Sequence, residues 1–97
     1  CYNVAGGTKL LDIVVQSAAE IIANIKVMPA CGGEPMFDPV TSACVYSSLS
    51  CIMGRPATDD DLDLCNLMIS QAKDPVDLEN TKQMTVAVFL SAAHSCE

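Results

Sequence analysis

Six cysteines in a chain of 97 residues are the sequence feature that most constrains the fold. They are Cys1, Cys31, Cys44, Cys51, Cys65 and Cys96. Metal-binding and redox cysteines come in close pairs such as C-x-x-C, and no two of these cysteines lie so close together. We therefore predict three disulfides and no metal site, and hence a secreted, extracellular protein. An N-terminus at Cys1 is what removal of a signal peptide would leave, and we expect that this has occurred.

Apolar residues at helical spacing predict two helices in the first half of the chain. One should run from about Thr8 to Lys26; it is apolar on nearly all sides, so we expect it to be the central helix. A second should span Pro39 to Met53, because Asp38 can cap free amides and Gly54 favours a left-handed helix end. Between them, residues 27–37 hold two prolines and two glycines and predict an ordered loop.

The second half of the chain carries two further helix starts. Thr58 is a favoured N-cap, and the three aspartates after it suit the positive end of the helix dipole. Asp74, followed by a proline, repeats the cap signal and opens a fourth helix that reaches Cys96, with a break near Asn80 left open. Residues 1–97 are thus predicted to form one secreted all-α domain. Its fold class is a small disulfide-stapled bundle of about four helices in an antiparallel up-down arrangement.

An up-down bundle suggests how the cysteines pair. Helices that alternate in direction bring the first and last cysteines to one end, and the favoured pairing is Cys1–Cys96, Cys31–Cys44 and Cys51–Cys65. A nested alternative remains open, namely Cys1–Cys65, Cys31–Cys51 and Cys44–Cys96.

The charge of the chain argues against two kinds of partner. Its formal net charge is −7, which repels phosphate backbones and anionic lipid surfaces, so nucleic acid is not expected as a partner. The longest apolar runs are too short to cross a bilayer, and no transmembrane segment is predicted. An acidic surface of this kind is typical of a soluble secreted protein.

No residue pattern predicts catalysis or a cofactor. His94 is the only histidine, and with paired cysteines it has neither a thiolate nor a second imidazole as a partner. Residues 59–63 resemble the opening of a calcium loop, but Leu64 and Ser70 stand where an EF-hand needs Gly and Glu. We therefore interpret the aspartates as helix-capping residues and predict no catalytic residue, no metal and no enzyme activity.

Five methionines and an aromatic content of only 4% suggest a candidate ligand site. Methionine fills irregular space in ordinary cores and also lines adaptable binding cavities. If the bundle holds an apolar ligand, the predicted lining is Ile13, Val14, Ile21, Met53, Met68 and Phe89. Arg55 and residues 34–37 are predicted to lie in exposed turns, where partner contacts are common.

Three functions remain open, all of them extracellular and all of them forms of binding. The leading interpretation is a protein-recognition molecule of the pheromone, toxin or effector type, in which disulfides hold a rigid surface for a protein receptor. The first alternative is an extracellular carrier of a lipid or other small hydrophobic ligand. The second alternative is a structural subunit of an extracellular assembly.

The carrier interpretation has an analogy among secreted helical proteins with three disulfides. Insect odorant-binding proteins, oomycete elicitins and plant lipid-transfer proteins all hold apolar molecules between helices. The chain is similar to the elicitins in length, in cysteine number and in having cysteines near both ends. Its cysteine spacings differ from those of all three families, so the analogy is one of architecture only.

Overall fold

The computed structural model describes residues 7–94, with side chains described over residues 16–92. The four α-helices are α1 Gly7–Asn24, α2 Tyr46–Met53, α3 Asp59–Ser70 and α4 Pro75–His94. Two short 3₁₀ helices, Ile25–Val27 and Pro29–Cys31, follow α1. The only β pairing in this part of the chain is an isolated antiparallel bridge between Phe37 and Cys44. The predicted fold class, a small disulfide-stapled all-α domain of about four helices, is confirmed.

The central helix is α4, against which α1, α2 and α3 all pack. Three consecutive residues of α4, namely Thr85, Val86 and Ala87, are each at most 1% exposed. Because successive helical residues point about 100° apart, neighbours must cover α4 on more than one side. The prediction that α1 is central is wrong, because among the α-helices α1 packs mainly against α4; the polar stripe expected on α1 is exposed at Gln16, Glu20 and Asn24. The α4 helix also runs without the break considered near Asn80.

One apolar core joins the helices and the loop that precedes α2. Its largest fully buried apolar side chains are Ile25, Met36, Leu49 and Val86. Among the described residues, every buried side-chain nitrogen or oxygen has a hydrogen-bond partner. Buried Ser48, for example, donates from Oγ to the carbonyls of Glu34 and Pro35, at 3.0 and 2.8 Å. These two contacts hold the loop that precedes α2 against that helix.

The second helix is shorter than predicted, because residues 38–43 form a separate turn. Asp38 accepts hydrogen bonds from backbone amides as a helix cap would, but Ser42 then adopts a left-handed φ of 64°. Val45, which follows the bridge between Phe37 and Cys44, is extended, so a helix begins only at Tyr46. The predicted stop is confirmed: Gly54 has φ 75°, and its amide donates to the carbonyls of Ser50 and Cys51.

Two disulfides are present in the described residues, Cys31–Cys51 and Cys44–Cys65, with Cα–Cα distances of 5.3 and 6.3 Å. The favoured pairs Cys31–Cys44 and Cys51–Cys65 are therefore wrong. They assumed that Cys44 lies on the second helix, whereas it precedes that helix and turns towards α3. The nested alternative had Cys31–Cys51 right but is excluded by the pairing of Cys65 with Cys44. Cys1 and Cys96 lie outside the described residues.

The third helix begins as the sequence predicted. Thr58 Oγ1 accepts from Asp61 N at 3.1 Å, while Asp61 Oδ2 accepts from Thr58 N at 2.9 Å. This reciprocal capping box satisfies two amides that a helix start leaves free. The interpretation of the aspartates as helix-capping residues is thereby confirmed for Asp61.

Candidate binding surfaces

The turn at residues 38–43 is a closed loop that displays an apolar side chain. Asp38 N donates to Ala43 O at 2.8 Å, and Asp38 Oδ1 accepts from Val40 N at 2.8 Å and from Thr41 N at 2.9 Å. These bonds from the amides of Thr41 and Val40 hold the pKa of Asp38 below its usual value. Within this frame the Val40 side chain is 90% exposed.

The loop is anchored to the helices at its base. Cys44 is bonded to Cys65 of α3, and Cys44 N donates to Asn66 Oδ1, also on α3, at 2.8 Å. On the other side, buried Phe37 lies under the ammonium group of Lys82 of α4, with Nζ 5.7 Å from the ring centroid. Such a contact attracts the cation to the ring face. The loop is therefore held on both sides.

The turn between α3 and α4, residues 71–74, is fixed by two aspartates. Asp74 Oδ1 accepts from Asp77 N at 2.7 Å, and Asp77 Oδ2 accepts from Lys73 N at 2.9 Å. The carbonyl of Asp74 also accepts from Leu78 N at 2.8 Å, which starts the helical ladder of α4. The predicted cap at Asp74 is confirmed.

The loop and the turn lie side by side around a cleft of about 390 Å³. The loop contributes Thr41 and Ser42 to its lining, and the turn contributes Lys73 and Asp74. The floor includes Ile69, which is 9% exposed.

Two exposed valines are next in sequence to residues that line this cleft. Val40 at 90% and Val76 at 75% are the most exposed large apolar side chains in the described part of the chain. We call residues 40–42 and 72–76 the loop–turn surface. Single exposed apolar side chains are common on protein surfaces, but those that a hydrogen-bonded frame already holds in place lose little entropy when a partner covers them.

A second cleft, of about 480 Å³, lies where the end of α2 meets α3 and α4. Its floor includes Met53 and Phe89, which are 8% and 5% exposed. Its walls include Leu64 of α3 and Val88 of α4, which are 47% and 42% exposed, with Ala92 one turn further along α4. We call this the helix cleft. Its volume falls within the usual range of small-molecule sites.

One end of the helix cleft carries a pair of opposite charges. Arg55 Nη1 lies 3.1 Å from Asp61 Oδ2, and both residues line the cleft. The same Asp61 oxygen accepts from Thr58 N and Thr58 Oγ1, at 2.9 and 3.0 Å. The bond from the Thr58 amide, with help from the Thr58 hydroxyl and the Arg55 guanidinium, lowers the pKa of Asp61. The carboxylate therefore stays charged at neutral pH.

The structure places four of the six predicted ligand-lining residues, in two environments. Met53 and Phe89 lie together in the helix cleft. Ile21 and Met68 are partly buried and pack against the core. The side chains of Ile13 and Val14 lie outside those described, as does that of His94.

Several residues of the two surfaces were not selected from the sequence. Val40 was hidden inside the helix predicted over residues 39–53. The exposure of Leu64 could have been predicted, because Leu64 lies outside the buried face of α3, which contains Cys65 and Ile69.

The predictions for the exposed turns were partly right. Arg55 was predicted to lie in an exposed turn, and its side chain is 54% exposed. Met36 and Phe37 were expected to be exposed, but they are buried in the core.

No family model, curated protein or solved structure matches this chain. None of the helices in the described residues is long and apolar enough to cross a membrane. The same residues contain no group of three His, Cys, Asp or Glu side chains that could hold a metal ion. The fold places the chain in the class of small all-α proteins crosslinked by disulfides. The two disulfides suggest an oxidising, extracellular setting.

Proposed function

We propose that this is a secreted protein that acts by binding another protein through the loop–turn surface, without catalysis. The observation that carries the proposal is that two highly exposed valines, Val40 and Val76, are each next in sequence to residues that line a cleft with hydrogen-bonded walls. Burying one such side chain in a partner stabilises a complex by about 1.5–3 kcal/mol.

Pre-organisation supports this choice of surface. The amides of Val40 and Thr41 are bonded to Asp38, and the turn beside them is bonded to Asp74 and Asp77. A surface that is already ordered loses little conformational entropy when a partner docks. The Cys44–Cys65 disulfide has the same effect, since it ties the base of the loop to α3.

The proposed partner carries an apolar side chain that enters the cleft and a small apolar depression for each valine. Lys73 and Asp74 line the same cleft, so the rim offers one charge of each sign. A partner with paired polar groups around an apolar centre has the composition that protein interfaces usually show.

Capture with matched variants tests the proposal. Wild-type protein and the variants Val40→Asp, Val76→Asp and Val27→Asp are immobilised and exposed to extracellular fluid from the producing organism. Val27 is 70% exposed but lies in the first 3₁₀ helix and lines neither cleft, so it serves as the control.

We expect one protein to be captured by wild type and by Val27→Asp, and its affinity to fall more than about tenfold in the other two variants. Equal capture by all four proteins, or no captured protein, contradicts the proposal. Capture of a second copy of this chain would instead favour a subunit of an extracellular assembly.

A further inference from the structure

The helix cleft is separate from the loop–turn surface and has a different chemistry. The loop–turn surface projects apolar side chains outwards, whereas the helix cleft is concave, with buried Met53 and Phe89 as its floor. Leu64 and Val88 line it and are only partly buried, at 47% and 42% exposure. An apolar chain laid between them would complete that burial.

The polar end of the cleft has unused hydrogen-bonding capacity of both kinds. Within residues 16–92, every hydrogen bond of the Asp61 carboxylate is made by Oδ2, and those of the Arg55 side chain are made by Nη1. Asp61 Oδ1 therefore remains an acceptor for a ligand, and Arg55 Nε and Nη2 remain donors.

These groups select among polar head groups. A carboxylate can accept from Arg55 but adds a second negative charge beside Asp61, and an ammonium group can donate to Asp61 but adds a second positive charge beside Arg55. A hydroxyl group can donate to Asp61 and accept from Arg55 at the same time. Because a hydroxyl group is uncharged, it adds no net charge to the ion pair of Arg55 and Asp61, whose side chains are 3.1 Å apart.

We propose that the helix cleft binds a neutral amphiphile, an aliphatic chain with a terminal hydroxyl, with the chain between Leu64 and Val88 and the hydroxyl at Arg55 and Asp61. The volume of about 480 Å³ has room for roughly 16 groups the size of a water molecule. A medium-length alcohol such as 1-decanol fits this space.

The net charge of −7 makes a long-chain amine, rather than a carboxylate, the strongest competitor of the alcohol for the cleft. It repels a long-chain carboxylate and attracts a long-chain amine at low ionic strength. Attraction of the amine is screened by salt, whereas binding of an uncharged alcohol is not. Ionic strength therefore separates recognition by hydrogen bonds from attraction by net charge.

The test compares three probes that share one chain length, namely 1-decanol, decanoate and decylamine, each titrated below its aggregation concentration. Binding is followed by the NMR shifts of Leu64, Val88 and Ala92. We expect 1-decanol to bind at least tenfold more tightly than the other two, with an affinity that does not change between low and physiological salt.

Variants locate the site. Leu64→Gln and Val88→Gln should each weaken 1-decanol binding at least fivefold. Leu67→Gln is the matched control, because Leu67 lies on the same helix at 57% exposure and does not line the cleft; it should leave binding unchanged. Arg55→Met should weaken 1-decanol binding and raise the relative affinity for decylamine, since Asp61 then lacks its cation.

Equal affinity for the three probes, no shifts at the cleft residues, or an equal loss in Leu67→Gln overturns the inference. Protein capture in the preceding experiment uses other residues, so either proposal can fail while the other stands.

Discussion

The loop–turn surface and the helix cleft lie on the same small fold but are held by different forces. The loop–turn surface depends on aspartate side chains that bind backbone amides, and on a disulfide at its base. The helix cleft depends on side-chain packing of α2, α3 and α4, and at its end the Asp61 carboxylate accepts a hydrogen bond from the Thr58 amide. The two surfaces should therefore respond to different substitutions.

The largest effect is expected from Phe89→Ala, which removes the floor of the helix cleft. Phe89 is 5% exposed and belongs to the core, so the free energy of unfolding should fall by about 4 kcal/mol. Urea unfolding measures the loss. The adjacent Val88→Ala is the control, because Val88 is 42% exposed and should cost less than about 1 kcal/mol. Similar losses in both variants would contradict the assignment of Phe89 as the floor.

The next effect concerns the disulfide under the loop. Replacing Cys44 and Cys65 together by Ala opens a crosslink between residues 21 positions apart, which should lower stability by about 3 kcal/mol. Hydrogen exchange at the amides of residues 40–42 should rise more than exchange in α4, since the base of the loop is released from α3.

The other disulfide provides the control for that experiment. Cys31 and Cys51 are 20 positions apart, so their joint replacement by Ala should cost about the same stability. It should leave the exchange of residues 40–42 close to its wild-type rate after correction for global stability. Equal local exchange in both variants would show that the Cys44–Cys65 bond does not specify the loop.

Much of this fold could be predicted from local signals. Thr58, Asp74 and Gly54 are residues whose short-range hydrogen bonds or backbone freedom decide where a helix starts or ends, and the structure places all three as expected. The disulfide pairing could not be predicted in this way. It depends on how Cys44 approaches α3, and Ser42, two residues before it, has a left-handed conformation that serine rarely adopts.

The candidate surfaces were predicted less well than the fold, for a physical reason. Local sequence shows that Met53 and Phe89 are apolar, but their shared cleft arises from the packing of α2 against α4. Asp38 was predicted to cap a helix; its side chain does accept from backbone amides, but these bonds close a turn. Whether its cap starts a helix or closes a turn depends on the bridge between Phe37 and Cys44, which joins residues that a helical pattern would separate.

A smaller effect is expected at the cap that fixes the polar end of the helix cleft. Thr58→Ala removes the Oγ1 atom that accepts from Asp61 N and should lower stability by about 1 kcal/mol. Thr58→Ser keeps a hydroxyl oxygen and should retain most of that stability. Thermal unfolding of the two variants separates the cap from the rest of the side chain. An equal loss in both would mean that the Thr58 methyl group, rather than its hydroxyl, stabilises α3.

The smallest effect, and the one that touches both surfaces, is the response to acid. Amide bonds from Thr41 and Val40 lower the pKa of Asp38, and the bond from the Thr58 amide lowers that of Asp61. A group with a lowered pKa in the folded state stabilises that state above its unfolded pKa, about 3.9, and this contribution is lost as the pH falls through the lower folded value. Changes of pH near neutrality should therefore leave the stability of the protein unchanged.

Carboxyl carbon NMR shifts check the direction at each aspartate, and amide exchange checks its consequence. As the pH falls through the lowered pKa of Asp38, the amides of Val40 and Thr41 should lose protection in the wild type. In Asp38→Asn, which keeps an acceptor oxygen but does not titrate, that dependence on pH should disappear while the Thr58 amide still responds to Asp61. Titration of Asp38 at or above the usual aspartate value would contradict the role given to its amide bonds, and would leave the disulfide as the main restraint on the loop.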